Sequence, residues 1–184
     1  MEKVVISILG RDRPGIVAAV SKILSEGKCN IEDVSQTILQ TEFAGIFIVS
    51  LPDDLRSLDL LERLEGGLRS LDINVRVKGL EPAREEGPSY AAEPFVVTTF
   101  GTDRIGLVAG VTEVMARFGV NITNLKAVFR GGDDPNSNIM IYEVDVPLDI
   151  ELESFRDALR KRAAELGQDI NIQHRDIFEA INRV

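Results

Sequence analysis

An eleven-residue phrase occurs twice in this chain, and its two copies begin 91 residues apart. Residues 10–20 read GRDRPGIVAAV, and residues 101–111 read GTDRIGLVAGV. The match continues without a gap to residues 31 and 122, and nine of the 22 aligned pairs are identical. Because this interval is too long for the repeating unit of a solenoid, the repeat predicts a duplicated domain.

Both copies have the same predicted order of strands and helices. A β-branched run precedes each phrase, an amphipathic helix follows it, and two strands, a second helix and a last strand complete the copy. This order, β-α-β-β-α-β found twice, predicts an α+β fold of two tandem ferredoxin-like domains. Each domain is expected to be an antiparallel four-stranded sheet with two helices on one face. The predicted strands are 4–9, 30–40, 43–51, 73–80, 95–100, 121–130, 138–146 and 170–177.

The apolar positions of the helices predict which side chains face the sheets, because residues three and four apart share one helix face. These positions are Ile16, Val20, Ile23, Leu24, Leu55, Leu58, Leu61, Leu64, Leu68, Leu71, Leu107, Val111, Val114, Met115, Phe118, Leu152, Phe155, Leu159 and Leu166. We expect them to form one hydrophobic core in each domain.

The stretch between the copies, EPAREEGPSYAAEP, contains three prolines and no apolar periodicity, as is typical of a linker. The predicted organisation is a first domain at 1–80, a linker at 81–93, a second domain at 94–178 and a C-terminal tail at 179–184. The connection between the second and third strands is short in the first copy. In the second copy it is RGGDDPNSN, residues 130–138, which predicts an exposed loop.

Composition and charge exclude several classes of function. The net charge is −9 without a basic stripe in either half, so we expect no direct contact with nucleic acid. Apolar runs are only a few residues long and the amino terminus lacks signal-peptide architecture, so neither a membrane span nor secretion is expected. The single cysteine fits a reducing compartment, which predicts a cytoplasmic protein.

No motif for catalysis, metal binding or a cofactor is found. His174 is the only histidine and lacks the company of a catalytic triad, so we interpret it as a surface residue at a strand edge. Cys29 has no companion thiol and is interpreted as a small half-buried residue. The oxygen-rich stretch 133–138 breaks the spacing of a calcium loop. The glycine pairs fit no nucleotide-binding pattern.

The repeated phrase has a physical interpretation at the start of a helix. Pro14 suits a first helical turn, and Asp12 can accept hydrogen bonds from the free N–H groups of that turn. Gly15 and its counterpart Gly106 leave the helix start without a side chain, so a ligand or another backbone can approach. The free N–H groups carry partial positive charge and favour a carboxylate.

An asparagine begins the next strand of both copies, at Asn30 and Asn121. Its carboxamide both donates and accepts, so it can bind an amino group and a carboxylate together. A plainer interpretation stays open, in which the phrase is only a strand-to-helix turn with a good cap and the asparagine only a turn residue.

The phrase, its spacing and the element order resemble the ACT domain, a small-molecule regulatory module of amino-acid metabolism. DRPGIVAAVSKILSEGKCNIEDVSQ in the first copy and GTDRIGLVAGVTEVMARFGVNITNLKA in the second are both similar to its signature. The two-domain layout without an enzyme or DNA-binding domain resembles the glycine cleavage system transcriptional repressor group.

The resemblance implies a ligand, such as an amino acid, held between paired domains against the loop after the first strand and the start of the first helix. Many amino-acid-binding members have a carboxamide where this chain has Asp12 and Asp103, and a carboxylate there would attract the ligand's ammonium group. The implied ligand-binding residues are Asp12, Arg13, Pro14, Gly15, Ile16, Asn30, Asp103, Arg104, Ile105, Gly106, Leu107 and Asn121.

The expected function is that of a non-enzymatic regulator without a cofactor, which senses a small amino acid, glycine among the candidates, at domain or subunit interfaces. It would act through a protein partner such as a transcription activator, and exposed sheet edges predict a homo-oligomer. Two alternatives stay open. The chain could be a ligand-independent interaction and oligomerisation module, or a small acyl-phosphate hydrolase that uses Arg13 and Asn30.

Overall fold

The computed structural model describes residues 2–80, 91–129 and 138–182, and divides the chain into two compact units, Met1–Glu85 and Glu86–Val184. Most of the predicted linker and of the long loop at 130–138 therefore lies outside the described residues. No helix in the described part is both long enough and apolar enough to cross a bilayer.

The first unit contains four strands and two helices in the predicted order. The elements are β1 Lys3–Arg11, α1 Ile16–Glu26, β2 Asn30–Leu39, β3 Glu42–Ser50, α2 Ser57–Leu68 and β4 Ile73–Gly79, with a 3₁₀ turn at Arg69–Leu71.

The second unit repeats this order and adds a helix. The elements are β5 Ala92–Gly101, α3 Leu107–Arg117, β6 Asn121–Phe129, β7 Asn138–Pro147, α4 Leu152–Glu165, β8 Gln168–His174 and α5 Arg175–Asn182.

Both sheets have the same antiparallel topology. The strand order is β2-β3-β1-β4 in the first sheet and β6-β7-β5-β8 in the second, so the strand that leads into the repeated phrase is central in each. Two βαββαβ domains are present, and the predicted fold is confirmed.

Each domain has its own hydrophobic core between the inner sheet face and the two helices. In the first core Ile6 and Ile8 of β1 meet Val20 and Leu24 of α1, and in the second Val97 of β5 occupies the corresponding place. Burial alternates along β1 because side chains along a strand point to opposite faces, whereas in β5 the residues 95–99 are all buried. The fold is thus specified twice, by two separate sets of apolar residues.

The second helix of the first domain differs in detail from the prediction. Its buried stripe is Leu60, Leu64 and Leu68, spaced four residues apart, whereas Leu58 is 57% exposed. The predicted interval of three residues from Leu55 is wrong here because the helix begins only at Ser57, so Leu55 lies in the preceding loop.

The end of the second domain also differs from the prediction. The strand predicted at 170–177 ends at His174, and α5 begins at the next residue. Ile170 and Ile172 alternate as in a strand, but the later apolar residues Ile177 and Phe178 belong to the helix. Adjacent apolar residues flanked by charges fit an amphipathic helix, and this helix replaces most of the predicted tail.

A β-bulge interrupts the edge strand of both sheets at the same place. In β2 the pairing with β3 shifts between Ile31 and Asp33, and in β6 the pairing with β7 shifts between Ile122 and Asn124. The extra residues are Glu32 and Thr123. In the first domain Glu32 accepts hydrogen bonds from Lys3 Nζ and Ser50 Oγ, so this bulge residue of β2 is bonded to side chains of both β1 and β3.

Candidate functional site

The start of the first helix in each domain carries no side-chain cap. Gly15 and Gly106 occupy the N-cap positions with φ of 99° and 92°, and neither helix has a side-chain cap hydrogen bond. The predicted role of Asp12 as a cap is wrong, since its carboxylate makes no cap hydrogen bond to α1. Its backbone N–H donates to the carbonyl of Thr41 over 2.7 Å. Pro14 precedes the helix, which begins two residues later at Ile16.

The two glycines are required by backbone conformation. A Cβ placed on either residue would meet no atom within 4 Å, but side chains rarely adopt these positive φ values. The space in front of both helix starts is therefore open. The first-turn N–H groups, which have no intrahelical acceptors, face a region into which a ligand can fit.

A cleft of about 330 Å³ lies at the helix start of the second domain. It is lined by four residues of the repeated phrase around the start of α3, Asp103, Arg104, Gly106 and Leu107, and by Val108 and Ala109 of the first turn of α3. The sheet contributes Ala127, Asn138 and Met140. The cleft thus combines backbone amides, the carboxylate of Asp103 and an apolar wall.

Asn138, the first residue of β7, is the most informative side chain of this cleft. It is only 5% exposed, and its Nδ2 donates to Asp103 Oδ1 over 3.1 Å. This bond orients the carboxamide, so that Oδ1 is left as an acceptor. Within the described part of the chain, Asn138 Oδ1 is buried without a hydrogen-bond partner. An unpaired buried acceptor is unfavourable by about 1–3 kcal/mol, which a donor from a ligand would offset.

A second buried amide holds the same loop in position. Gln168, the first residue of β8, is 6% exposed and donates from Nε2 to the carbonyl of Thr102 over 2.9 Å. Gly101 pairs with both Asn138 and Gln168 across the sheet. Two neighbouring strands therefore present one amide each to the loop in front of α3.

The first domain has apolar side chains at both equivalent positions. Gly10 corresponds to Gly101, and it pairs with Phe43 and Ile73. Phe43 is 3% exposed and belongs to the core. The hydrogen bond from Asp12 to Thr41 draws the β2–β3 turn against the loop. The helix start of the first domain therefore lacks the two buried side-chain amides that lie beside the helix start of the second.

Asn30 and Asn121 lie at the opposite end of their sheets from the helix starts. Asn30 and Lys3 both pair with Ser50, whereas the repeated phrase begins at the other end of β1. Eight residue steps along β1 correspond to about 26 Å. Asn121 is likewise level with Pro94, seven steps before Gly101, or about 23 Å away. One domain cannot place its phrase and its asparagine on the same small ligand.

The remaining phrase residues differ in what they can offer. The side chains of Ile16 and Leu107 are buried, and Ile16 belongs to the first core, so it offers a ligand little besides its backbone. Arg13 is half-buried, and the guanidinium of Arg104 lies close to Gly167 in the turn before β8. Ile105 is fully exposed.

The residues set aside on sequence grounds have ordinary environments. Cys29 is half-buried as predicted, and burial raises the pKa of its thiol. His174 ends the edge strand β8, but it is only half exposed because its ring packs edge-on against Phe95 at 5.4 Å. No group of three or more potential metal ligands occurs among the residues that the structure describes. The predicted break of the calcium-loop pattern falls largely at 130–137, outside them.

Sequence reasoning missed Asn138 and Gln168 as site residues. Both are polar residues at the first position of a strand, where they resemble ordinary turn residues. The available signal was the comparison of the two copies, because polar residues here replace Phe43 and Ile73. That comparison requires the pairing of the strands, since the sequence match between the copies ends before residue 43.

Sequence comparisons support the duplication of the domain and the assignment of the repeated phrase to a known domain family. The sequence profile of the ACT domain matches residues 2–78 and 93–173. A UPF0237 protein of Methanocaldococcus jannaschii is 51% identical over 79 residues, which are 42% of this chain and 88% of that protein. A UPF0237 protein of Methanopyrus kandleri is 40% identical over 79 residues, with the same coverage.

Solved structures show the same two-domain arrangement of elements. A protein of unknown function from Galdieria sulphuraria has a TM-score of 0.76 and 25% identity, over 94% of this chain and 98% of that one. A protein provisionally named a glycine cleavage system transcriptional repressor has a TM-score of 0.63 and 20% identity, over 94% and 96%, which shows the fold alone. ACT domains are regulatory modules that bind small amino-acid ligands and often oligomerise. With both of its domains matched by that profile, the chain belongs to the ACT domain family.

Proposed function

We propose that this chain is a non-enzymatic regulator that senses a small amino acid at a helix start and signals to a protein partner. The observation that carries the proposal is the cleft of the second domain, where the unpaired Asn138 carbonyl lies beside the first turn of an uncapped helix. Glycine is the first ligand to test, because a structural neighbour carries the name of a glycine cleavage system repressor. A transcription activator in the cytoplasm is the partner class we propose.

The backbone amides of Val108 and Ala109 would hold the ligand's carboxylate. Both residues line the cleft and lie in the turn where a helix leaves N–H groups without acceptors. Anions are stabilised at such positions by the partial positive charge of the helix start. The side chain of Arg104 adds a full positive charge to the loop in front of α3, where its guanidinium lies close to Gly167. A small zwitterion therefore matches the cleft better than a large or uncharged molecule.

Asn30 and Asn121 would contact such a ligand only from another ACT domain. Their distance from the phrase of their own domain, about 23–26 Å, excludes a direct role there. We therefore propose that the protein works as a homo-oligomer, in which a second copy supplies this contact. By linkage, a ligand that favours one assembly must bind that assembly more tightly by the same factor.

A thermal-unfolding scan against the twenty amino acids tests the sensing function. A ligand at 100 times its Kd stabilises the folded state by about 2.7 kcal/mol, so saturable binding raises the melting temperature by several degrees. Acetate and ethylammonium at equal concentration control for effects of either charge alone. If no amino acid shifts the melting temperature at millimolar concentration, the sensing function is wrong.

A ligand-independent interaction module is the second candidate. Leu9 and Ile46 are 52% and 53% exposed on the outer face of the first sheet, where an apolar concave surface lies. Such a face is typical of a protein contact. Light scattering with and without added amino acid distinguishes the two functions, because only the interaction module predicts an assembly whose size does not depend on the ligand.

The hydrolase alternative is disfavoured by the geometry. Arg13 and Asn30 would both have to reach one acyl phosphate, and they lie at opposite ends of the first sheet. A turnover assay with acetyl phosphate, with Arg13→Ala as its control, checks this conclusion.

A further inference from the structure

We infer that the two copies differ in function: the second domain alone takes the ligand, and its Asp103–Asn138 pair selects a primary ammonium group. This inference rests on the proposed sensing function and adds where the ligand binds and which of its groups is recognised.

The pair offers the cleft mainly hydrogen-bond acceptors. Asn138 donates one of its two Nδ2 N–H groups to Asp103, and its carbonyl oxygen is the atom left without a partner among the described residues. A carboxylate such as that of Asp103 only accepts hydrogen bonds. Two acceptors, one of them charged, match a group with several N–H donors and a positive charge. A primary ammonium has three such donors, whereas a hydroxyl has one and no charge.

Burial makes this recognition selective. The Asn138 carbonyl is shielded from water, so a ligand without a donor at that point leaves it unpaired. Sites built to hydrogen-bond a polar ligand group discriminate strongly against analogues that lack the group. A hydroxy acid of the same size should therefore bind far more weakly than the amino acid.

The first domain cannot make the same contacts. Phe43 stands at the position of Asn138, is buried in the core and has no polar atom on its side chain. Ile73 stands at the position of Gln168. Asp12 remains as a carboxylate without a neighbouring carboxamide at the position of Asn138, and its backbone N–H donates to the carbonyl of Thr41. The first domain therefore contains the repeated phrase but lacks the buried acceptor that would bind an amino group.

Calorimetric titration of the full chain with glycine, L-alanine and L-serine tests the inference, with glycolate as the analogue lacking the ammonium group. We expect one site per chain and no detectable binding of glycolate. Asn138→Leu and Asp103→Asn should each weaken binding at least about tenfold, because each removes an acceptor. The matched variant of the first domain, Asp12→Asn, should leave the affinity unchanged within about twofold.

Amide chemical shifts in the wild-type chain provide a readout that does not depend on the variants folding. Saturation with glycine should shift Val108 and Ala109 of α3, and leave their counterparts Val17 and Ala18 of α1 unmoved. Two sites per chain, equal shifts at both helices, or loss of binding in Asp12→Asn alone would overturn the inference while leaving amino-acid sensing intact. Absence of binding to the wild-type chain would instead remove the sensing function and the inference together.

Discussion

Gln168 and Thr102 are joined by a hydrogen bond of 2.9 Å from the side-chain amide of one to the backbone carbonyl of the other. The bond ties β8 to the loop in front of α3. Gly101 makes room for it, because a Cβ on this residue would lie 2.6 Å from Gln168 Nε2. The loop is thus positioned by an amide from β8, on the opposite side of β5 from Asn138.

Replacing Gln168 with leucine should loosen the loop without unfolding the domain. The variant keeps most of the side-chain volume but loses the bond to Thr102, so we expect glycine affinity to fall about threefold to tenfold. The free energy of unfolding should change by less than about 1.5 kcal/mol. Calorimetry and denaturant unfolding measure the two effects. Ile73→Leu is the control in the first domain, and an equal loss of affinity there would contradict a local role for Gln168.

Substitution of Gly106 tests whether the helix start needs glycine for its conformation. Gly106→Ala should destabilise the chain by about 1–2 kcal/mol, because alanine at positive φ is strained although its Cβ has space. Gly106→Asn should be less harmful, since asparagine tolerates this region better. Gly15→Ala is the matched variant and should have a similar effect. Thermal unfolding measures all three, and an unchanged stability of both alanine variants would refute the conformational explanation.

Glu32 should make the first domain sensitive to acid. Hydrogen bonds from Lys3 and Ser50 lower the pKa of this carboxyl below its ordinary value of 4.5. A lowered folded-state pKa stabilises the protein above the ordinary value, and this stabilisation disappears as the pH falls through the lowered pKa.

Glu32→Gln should therefore reduce stability at neutral pH and flatten its decline between pH 5 and the acid transition, in about the range where carboxyl groups titrate. Urea unfolding at a series of pH values measures the slope. The exposed Glu26→Gln on α1 is the control. An unchanged slope in Glu32→Gln would show that the contacts of this carboxyl do not contribute to acid stability.

Tyr142 offers a matched pair of core substitutions. Its side chain is fully buried, its hydroxyl lacks a hydrogen-bond partner within the described residues, and burial raises its pKa to about 12. Phe47 is the counterpart in the first domain by strand pairing, since it faces Ile6 as Tyr142 faces Val97.

Tyr142→Phe should stabilise the chain by about 1 kcal/mol, because it removes an unpaired buried polar group. Phe47→Tyr should destabilise it by about 1–3 kcal/mol for the converse reason. Denaturant unfolding of both variants measures the difference. If Tyr142→Phe is destabilising, the hydroxyl has a partner, such as an ordered water, that offsets its burial.

The fold could be predicted from the sequence because the same pattern of apolar residues occurs in both halves of the chain. Apolar residues at Ile16, Val20 and Leu24 recur at Leu107, Val111 and Met115, and the flanking β-branched runs recur with them. Element ends were less predictable. At His174 the chain changes from strand to helix without a glycine or proline to mark the change.

The site could be predicted only in part. The phrase identified the helix start, but the prediction also placed Asn30 on the ligand, and within one domain the strand register separates Asn30 from Asp12. Asn138 and Gln168 could not be found in this way. Their importance comes from pairing with Gly101 across the sheet, and such a relation between distant residues leaves no local pattern.

The bulge in each outer strand also has a topological effect that concerns insertion and deletion. Side chains alternate along a strand, so one surplus residue reverses which of the following side chains point towards the helices. Ile31 and Val34 both face the helix side although they are three residues apart, because the surplus Glu32 lies between them, and Ile122 and Leu125 do so because of Thr123. Deleting either surplus residue would leave a regular strand in which every later residue keeps its partner and its face, because the surplus residue has no partner of its own. Each outer strand can therefore lose one residue at this point without changing which of its later side chains face the helices.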